Sequence, residues 1–231
     1  MKRFWKNAAV TQDEAGWGVA LDGRPVRTPA RAAFAVPTAA LAQAIAAEWD
    51  AQGETINPRA MPLTGLANAA IDRVAADHAG FASRLAAYGE SDLIAYRADG
   101  PASLLAAQAQ AWDDWAAWLA RRFDVSLIIT SGILHVAQPP ETLARIQAAF
   151  AAFTPFQLAP LDPIVSITGS AVLALAVADG ALEADAAYDA AHVDARWQEL
   201  HWGRDPLAEQ AEQLRREDLA AACRFLRLLA D

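Results

Sequence analysis

Hydrophobic and polar positions alternate near the start of the chain, which predicts a small β-sheet. Apolar and small residues alternate over residues 17–21, and the turn-forming pair Asp22-Gly23 follows them. This is the pattern of a β-hairpin. Residues 8–12 and 34–36 predict two further short strands on either side of it.

From residue 38 onward the apolar spacing changes to the period of an α-helix. Thr38 is placed to cap a helix in which Leu41, Ile45 and Trp49 recur every four residues, and Gly53 is its predicted end. Prolines at 58 and 62 predict an extended connection before the next helix begins near Leu63. Helical patterns follow over residues 63–74, 78–89, 101–123, 139–153, 164–178, 185–203 and 216–231.

One stretch interrupts the helices, at residues 125–136. Two β-branched pieces flank Ser131-Gly132, which predicts a second hairpin that packs with either part of the chain. The predicted fold class is therefore α+β. A small N-terminal α+β domain with β-hairpins spans residues 1–62, and a mostly α-helical bundle domain spans residues 63–231.

Composition supports helices and narrows the class of partner. Alanine supplies much of the 55% hydrophobic content of the 231 residues, and alanine favours helix. The net charge of -9 and pI near 4.9 disfavour nucleic acid and anionic membrane surfaces as partners. The apolar run 164–178 is shorter than the roughly 20 residues needed to span a bilayer, so it predicts a buried helix and no membrane insertion.

The sequence contains no pattern that is typical of a catalytic or metal-binding site. The four histidines lack metal-ligand spacing, and a single cysteine, Cys223, excludes an intramolecular disulfide. Ser170, in a buried apolar run, is interpreted as a filler within the helix, and Glu90 and Asp92 as helix-capping residues. We therefore expect no catalytic residue, no metal, no cofactor and no small-molecule substrate.

Eight tryptophans are the unusual feature of the composition, and several have charged neighbours. Trp49 lies between Glu48 and Asp50. Trp197 and Trp202 are five residues apart and do not share one narrow helix stripe. Core packing and a protein interface both remain open for these side chains.

Several blocks resemble, in order and spacing, the ATP-twelve chaperone family of ATP synthase assembly factors. They are RFWKN at residue 3, LDGRPVRTP, EWDAQGETINPRAMPLT at residue 48, LANAAIDRV and WQELHWG, and they extend over nearly the whole chain. The resemblance implies a non-enzymatic chaperone with an N-terminal α+β domain and a helical domain. It also implies that the partner is the free alpha subunit of F-type ATP synthase, whose exposed oligomer interface the chaperone covers until beta subunits displace it.

The resemblance also implies the partner-binding residues. These are Trp49, Asp50, Asp194, Trp197, Gln198, Trp202 and Gly203. In the family an acidic pair precedes the aromatic-Gln dipeptide, whereas here only Asp194 is acidic and Ala195 and Arg196 follow it. The Glu48-Trp49-Asp50 block is interpreted as a structural junction near or at the partner surface.

Two alternative functions stay open, and a cellular location is also expected for this protein. A small-molecule enzyme would use Glu90, Asp92 and Arg97 in a cleft between the domains, and a structural subunit would stay in the finished synthase. Mitochondrial members of the family begin with a presequence, whereas this chain reaches the RFWKN block at residue 3. The expected location is therefore the bacterial cytoplasm, with the mitochondrial matrix for organellar relatives.

Overall fold

The structure is a computed structural model that describes residues 2–203 and 206–230. It divides into two compact units. Unit 1 comprises Met1–His78, Phe153–Pro160 and Ala221–Asp231, and unit 2 comprises Ala79–Ala152 and Leu161–Ala220.

Unit 1 contains the predicted hairpin. Strands β1 (Ala8–Asp13), β2 (Gly16–Leu21) and β3 (Arg24–Pro25) form an antiparallel sheet in that order. Asp22 and Gly23 have φ values of 47° and 80°, so both residues of the β2–β3 turn adopt the left-handed conformation that suits a tight hairpin. The strand predicted at residues 34–36 is reduced to one bridge, between Trp17 and Val36.

The first helix begins and ends close to its prediction. Helix α1 (Ala39–Asp50) starts after Thr38, whose side chain accepts a hydrogen bond from the Leu41 amide at 3.2 Å. It ends with Ala51 in a right-handed conformation rather than at Gly53. A 3₁₀ turn (Pro58–Ala60) then leads to helix α2 (Pro62–Ala69) and a π-helical turn (Ala70–Val74).

The core of unit 1 gathers residues from distant parts of the sequence. Trp5, Phe34, Leu41 and Ile45 pack with Phe225, which is fully buried. Because Phe225 belongs to the end of the chain, the last residues complete the core of the N-terminal sheet and helix. The compact units have different bounds from the predicted domains 1–62 and 63–231, and that division into domains stays a prediction.

The remaining helices carry most of unit 2, while α3, α6 and α10 contribute residues to both units. They are α3 (His78–Ala86), α4 (Ala102–Phe123), α5 (Pro140–Ala151), α6 (Pro155–Thr168), α7 (Ala171–Ala178), α8 (Ala184–Ala191), α9 (Val193–Trp202) and α10 (Pro206–Leu228). The α+β class with a small sheet and a helical part is confirmed. In the part of the chain that the structure describes, no helix is long and apolar enough to cross a membrane.

The prediction of one buried helix over residues 164–178 is wrong. Most of the run is buried, with Ser166 exposed. However, Gly169 adopts a φ of 64° and ends α6, after which Ser170 caps α7 by accepting from the Leu173 amide at 3.0 Å. Ser170 is therefore a helix N-cap, not a filler within a helix. Asp92 has the capping role that was predicted, and it caps two segments, since its carboxylate accepts from the amides of Ile94 and Val172.

The prediction of a second hairpin is wrong as well. Strand β5 (Thr130–Ser131) pairs in parallel with β4 (Tyr96–Arg97), inside unit 2. The buried side chain of Gln138 holds Ile128 through the amide N–H and the carbonyl of that residue, at 2.8 and 3.0 Å. These contacts replace the hairpin ladder. The β4–β5 pair joins residues 34 positions apart, which explains why local pattern does not reveal it.

Candidate partner-binding site

Five of the seven predicted site residues lie on or directly after one helix, α9. Asp194 stands in its first turn, where a carboxylate is favoured by the helix dipole, and Gly203 ends it with a φ of 90°. Trp197, Gln198 and Trp202 lie between them. The amide of Gly203 donates to the carbonyl of Glu199 at 2.9 Å and closes the last turn.

A groove of about 460 Å³ lies among α4, α8 and α9 in unit 2. Its apolar lining comes from Trp115, Leu182, Val193, Trp197, Leu200 and four alanines, Ala107, Ala111, Ala186 and Ala190. Gln110, Asp189 and Arg196 add polar groups. Small residues on facing helices leave the space that this groove occupies, and its surface suits apolar side chains of a ligand or partner.

Three apolar side chains of α9 form what we call the α9 patch: Trp197, Leu200 and Trp202. Leu200 is 85% exposed and Trp202 is 75% exposed. The rings of Trp197 and Trp202 meet edge to face at 5.8 Å, and His201 stacks on Trp197 at 3.9 Å. Trp197 itself is half-buried, so it supports the exposed Trp202. An exposed tryptophan packed on a second one beside an apolar groove is typical of a protein interface.

The orientation of Trp197 is fixed by a polar contact. Its indole Nε1 donates to the hydroxyl of Ser103, on α4, at 3.1 Å. The tryptophan is therefore held in a defined rotamer at the edge of the groove, which limits the entropy that binding a partner would cost.

Asp194 connects α9 to the interior. Its carboxylate accepts from Nε2 of Gln108 at 2.7 Å, and Oε1 of Gln108 accepts from the Ala98 amide at 2.9 Å. Gln108 is only 1% exposed, so these two bonds satisfy a buried amide. We call this chain of contacts the Asp194–Gln108 relay, and it gives Asp194 a positioning role that the sequence did not reveal.

A second set of contacts holds the floor of the groove. The indole Nε1 of the buried Trp112 donates to the carbonyl of Ala190 at 2.6 Å, which ties α4 to α8. The carboxylate of Asp189 accepts from the guanidinium groups of Arg196 at 2.7 Å and Arg216 at 3.1 Å. The acid and the base at the groove wall thus neutralise each other, and the groove is left mainly apolar.

His192 joins α8 to α9, between the groove residues Ala190 and Val193. Its ring stacks on Tyr188 at 3.9 Å, and Nδ1 contacts the carbonyl of Tyr188 at 2.9 Å. Burial lowers the pKa of His192 below its usual value, with the neighbouring arginines acting in the same direction. The neutral ring is thus favoured at the α8–α9 corner.

Trp49 and Asp50, the other two predicted residues, lie in unit 1 at the end of α1. The half-buried ring of Trp49 packs edge to face on Trp5 at 5.2 Å. The carboxylate of Asp50 accepts from the Ala8 amide at 2.8 Å and pairs with Arg3 at 3.8 Å. Both residues serve the structural junction that the sequence indicated, and their contact with a partner stays a prediction.

Glu48 completes the junction through contacts with the start of α2. Its carboxylate accepts from the amides of Leu63 and Thr64 at 2.7 and 2.8 Å, and from the Thr64 hydroxyl at 2.7 Å. It therefore caps α2 from a different helix. No local pattern reveals a cap supplied from 15 residues away.

The residues named for an enzymatic alternative have other partners within unit 2. Asp92 is fully buried and caps both α7 and the 3₁₀ turn Leu93–Ala95, while Arg97 pairs with Asp113 at 2.9 Å. Glu90 faces His135 at 3.9 Å. Within residues 2–203 and 206–230, no group of three or more histidine, cysteine, aspartate or glutamate side chains is arranged to hold a metal ion.

Comparison with known proteins agrees with the family resemblance. The family model described as ATP12 chaperone protein matches residues 2–120. Protein atp12, mitochondrial, from Schizosaccharomyces pombe is 26% identical over 230 residues, which cover 94% of this chain and 78% of that protein.

Solved structures extend the similarity to the whole fold. The crystal structure of Atp12 from Paracoccus denitrificans is 41% identical, with a TM-score of 0.94 over 99% of this chain and 98% of that one. An aspartate-to-lysine mutant of the same Paracoccus protein gives 41% identity and a TM-score of 0.94, over 99% of this chain and 97% of that one.

Proposed function

This chain belongs to the ATP12 chaperone family, the ATP-twelve family of the sequence blocks, and we propose that it binds the free alpha subunit of F-type ATP synthase. In this proposal it covers the oligomer interface of alpha and releases it to beta subunits during assembly of the catalytic sector. The observation that carries the proposal is the α9 patch beside an apolar groove of about 460 Å³.

The physical basis is the burial of apolar surface that would otherwise aggregate. A subunit awaiting its neighbours exposes an apolar interface, and unpaired surfaces of that kind associate nonspecifically. Apolar burial stabilises by about 25 cal/mol per Å². The groove and the α9 patch offer a complementary surface, and the neutralised Asp189–Arg196 pair leaves no unpaired charge to desolvate there.

The predicted residues divide into two roles. Trp197 and Trp202 are proposed as direct contacts, with Gln198 exposed beside them, whereas Asp194 and Gly203 position the helix. Trp49 and Asp50 remain proposed partner contacts, and the side chain of Asp50 is 51% exposed. Ala195, which replaces the second acid of the family, is exposed, so the Asp194–Gln108 relay requires only one carboxylate.

The cycle that we propose has no catalytic step and needs no cofactor. Support for this comes from relatives that are named chaperones. In this proposal beta subunits displace the chain because both bind the same apolar surface of the alpha subunit. We place the protein in the bacterial cytoplasm, because its 41% identical relative is bacterial whereas the mitochondrial relative is 26% identical.

Co-expression with the alpha subunit of the same organism tests the proposal. We expect a one-to-one complex on size-exclusion chromatography, and loss of that complex when beta subunit is added. Alpha that stays aggregated in the presence of this chain would contradict the proposal. A complex that persists with beta, and co-purifies with finished synthase, would instead indicate a structural subunit.

The double variant Leu200→Ser with Trp202→Ser tests whether the α9 patch is the surface used. Both side chains are mostly exposed, so the variant should fold normally but recover less soluble alpha. Phe4→Ser is the matched control, because Phe4 is 63% exposed and lies in unit 1. Equal loss of capture in the two variants would show that capture does not depend specifically on the α9 patch.

A further inference from the structure

Unit 2 carries a second exposed apolar surface, at residues 128–134, which we call the aliphatic loop. Ile133 is 98% exposed and Leu134 is 80% exposed, the highest values among the large apolar side chains that the structure describes apart from Leu200. Ile128 and Ile129 are 43% and 45% exposed. Four aliphatic side chains within seven residues form an apolar patch, whereas single exposed apolar residues are common on protein surfaces.

The loop is held in place by the fold. Gln138 fixes both backbone polar groups of Ile128, and the Gly132 amide donates to the carbonyl of Arg97 at 2.9 Å. Beyond the tip, the Val136 amide donates to the hydroxyl of Tyr96 at 3.3 Å. Anchors before, within and after the tip reduce the ordering cost that a flexible loop would have on binding.

The charges around the loop are mostly acidic. Asp124 precedes it, Glu90 lies near His135, and a Cβ at Gly132 would lie 3.2 Å from the Asp99 carboxylate. Arg97, whose carbonyl contacts the loop at Gly132, has its guanidinium paired with Asp113. An acidic rim disfavours anionic lipid, which attracts basic segments. It complements a protein surface whose apolar centre is bordered by basic side chains.

The loop also shares a framework with α9. Strand β5 pairs with β4, and the residue after β4, Ala98, donates its amide to Gln108 of the Asp194–Gln108 relay. Asp194 ends this chain of contacts on the helix that carries the α9 patch. Both exposed apolar surfaces are therefore fixed by one hydrogen-bonded network within unit 2.

The acidic residues around the loop argue against a second copy of this chain as its occupant, because a second copy would bring the same like charges to the contact. The loop has seven residues, whereas a specific interface uses roughly 20–30 residues on each side. Seven residues with two nearly fully exposed aliphatic tips match an anchor within a larger interface.

We propose that the aliphatic loop is a second docking element for the same client as the α9 patch, and that it binds an apolar, basic-rimmed surface of the alpha subunit. This inference rests on the proposed function. Ile133 and Leu134 insert between apolar side chains of the client, while Glu90, Asp99 and Asp124 face its basic residues.

The test compares two double variants of the full chain. Ile133→Ser with Leu134→Ser removes the apolar tips, and Ile133→Leu with Leu134→Ile keeps them. The readout is the rate at which labelled chain leaves a purified complex with alpha when excess unlabelled chain is added. We expect the serine variant to leave about tenfold faster, because the tips make apolar contacts in the complex, and the conservative variant to leave at the parent rate.

Other outcomes would overturn the inference in distinguishable ways. Equal exchange rates for the parent and the serine variant would remove the loop from the interface and leave the proposed function standing. Failure of the parent to capture alpha would overturn both. A parent dimer that the serine variant dissociates would assign the loop to a second copy, and flotation with phosphatidylglycerol vesicles that the variant loses would assign it to a membrane.

Discussion

At the scale of single residues, Glu48, Trp49 and Asp50 are neighbours in sequence but make three separate contacts. Glu48 caps α2, Trp49 packs on Trp5, and Asp50 holds the amide of Ala8. Each carboxylate satisfies backbone amides that would otherwise lack partners. The block therefore joins the first strand, the first helix and the second helix of unit 1.

The buried carboxyl group of Asp92 makes the stability of the fold depend on pH. Burial raises its pKa from 3.8 to about 6, although hydrogen bonds from Ser170 and from the amides of Val172 and Ile94 oppose the rise. Because the folded pKa is the higher one, protonation favours the folded state. This contribution to stability is present at low pH and is lost as pH rises from about 3.8 to about 6.

We expect Asp92→Asn to remove that dependence. Between about pH 4.5 and pH 6.5, the unfolding free energy of the parent should fall by about 1–2 kcal/mol relative to the variant. Urea unfolding of both proteins at the two pH values measures this difference in unfolding free energy. The other carboxyl groups are the same in both proteins, so their contributions to the pH dependence cancel. Parallel pH profiles would show that Asp92 has an ordinary pKa in the fold.

At the scale of elements, the division between α6 and α7 depends on one backbone conformation. Gly169 has a φ of 64°, which side-chain-bearing residues rarely adopt, and a Cβ there would meet only Cβ of Leu93, at 3.9 Å. There is room for the methyl group, so an alanine substitution would change the stability through backbone strain and not through a steric clash. The new α7 start is then capped by Ser170 and Asp92.

Gly169→Ala should therefore lower the unfolding free energy by about 1–2 kcal/mol. Gly65→Ala is the matched control. Gly65 lies within α2, is exposed and has open space at its Cβ position, so alanine there should stabilise by about 0.4–1 kcal/mol. Denaturant unfolding of both variants should give opposite signs. The same sign for both would contradict the division of the apolar run by a strained glycine.

At the scale of the whole molecule, a substitution in the groove among α4, α8 and α9 should weaken binding of the client without destabilising the fold. Ala186 lines the groove and is exposed, so Ala186→Trp should fill part of the space without disturbing the core. Ala106→Trp is the control, because Ala106 is an exposed residue of α4 that does not line the groove.

We expect Ala186→Trp to reduce recovery of soluble alpha subunit about tenfold, and Ala106→Trp to leave it unchanged. Each tryptophan should shift the melting temperature only slightly, since surface substitutions usually change stability by within about 0.5 kcal/mol. Co-expression yields and thermal unfolding of the two variants provide the measurements. Undiminished capture by Ala186→Trp would exclude the groove as a client site.

Local sequence determined much of the fold and the family. The turn pair Asp22-Gly23 and the cap Thr38 set the first hairpin and the start of α1, because turn and capping chemistry acts within a few residues. The quoted sequence blocks indicated the family, and the family model confirmed it. The helical character of residues 63–231 followed from apolar period and alanine content.

Tertiary structure decided what depends on contacts between distant residues. The parallel pair β4–β5, the Glu48 cap on α2 and the Asp194–Gln108 relay join residues far apart in sequence. Gln108 lies on the same face of α4 as Leu104 and Trp112, so the sequence indicated a buried polar side chain there. The helical spacing does not identify Asp194 as its partner. Local propensity fixes helices and turns over a few bonds, whereas grooves and relays exist only when packing brings separate helices together.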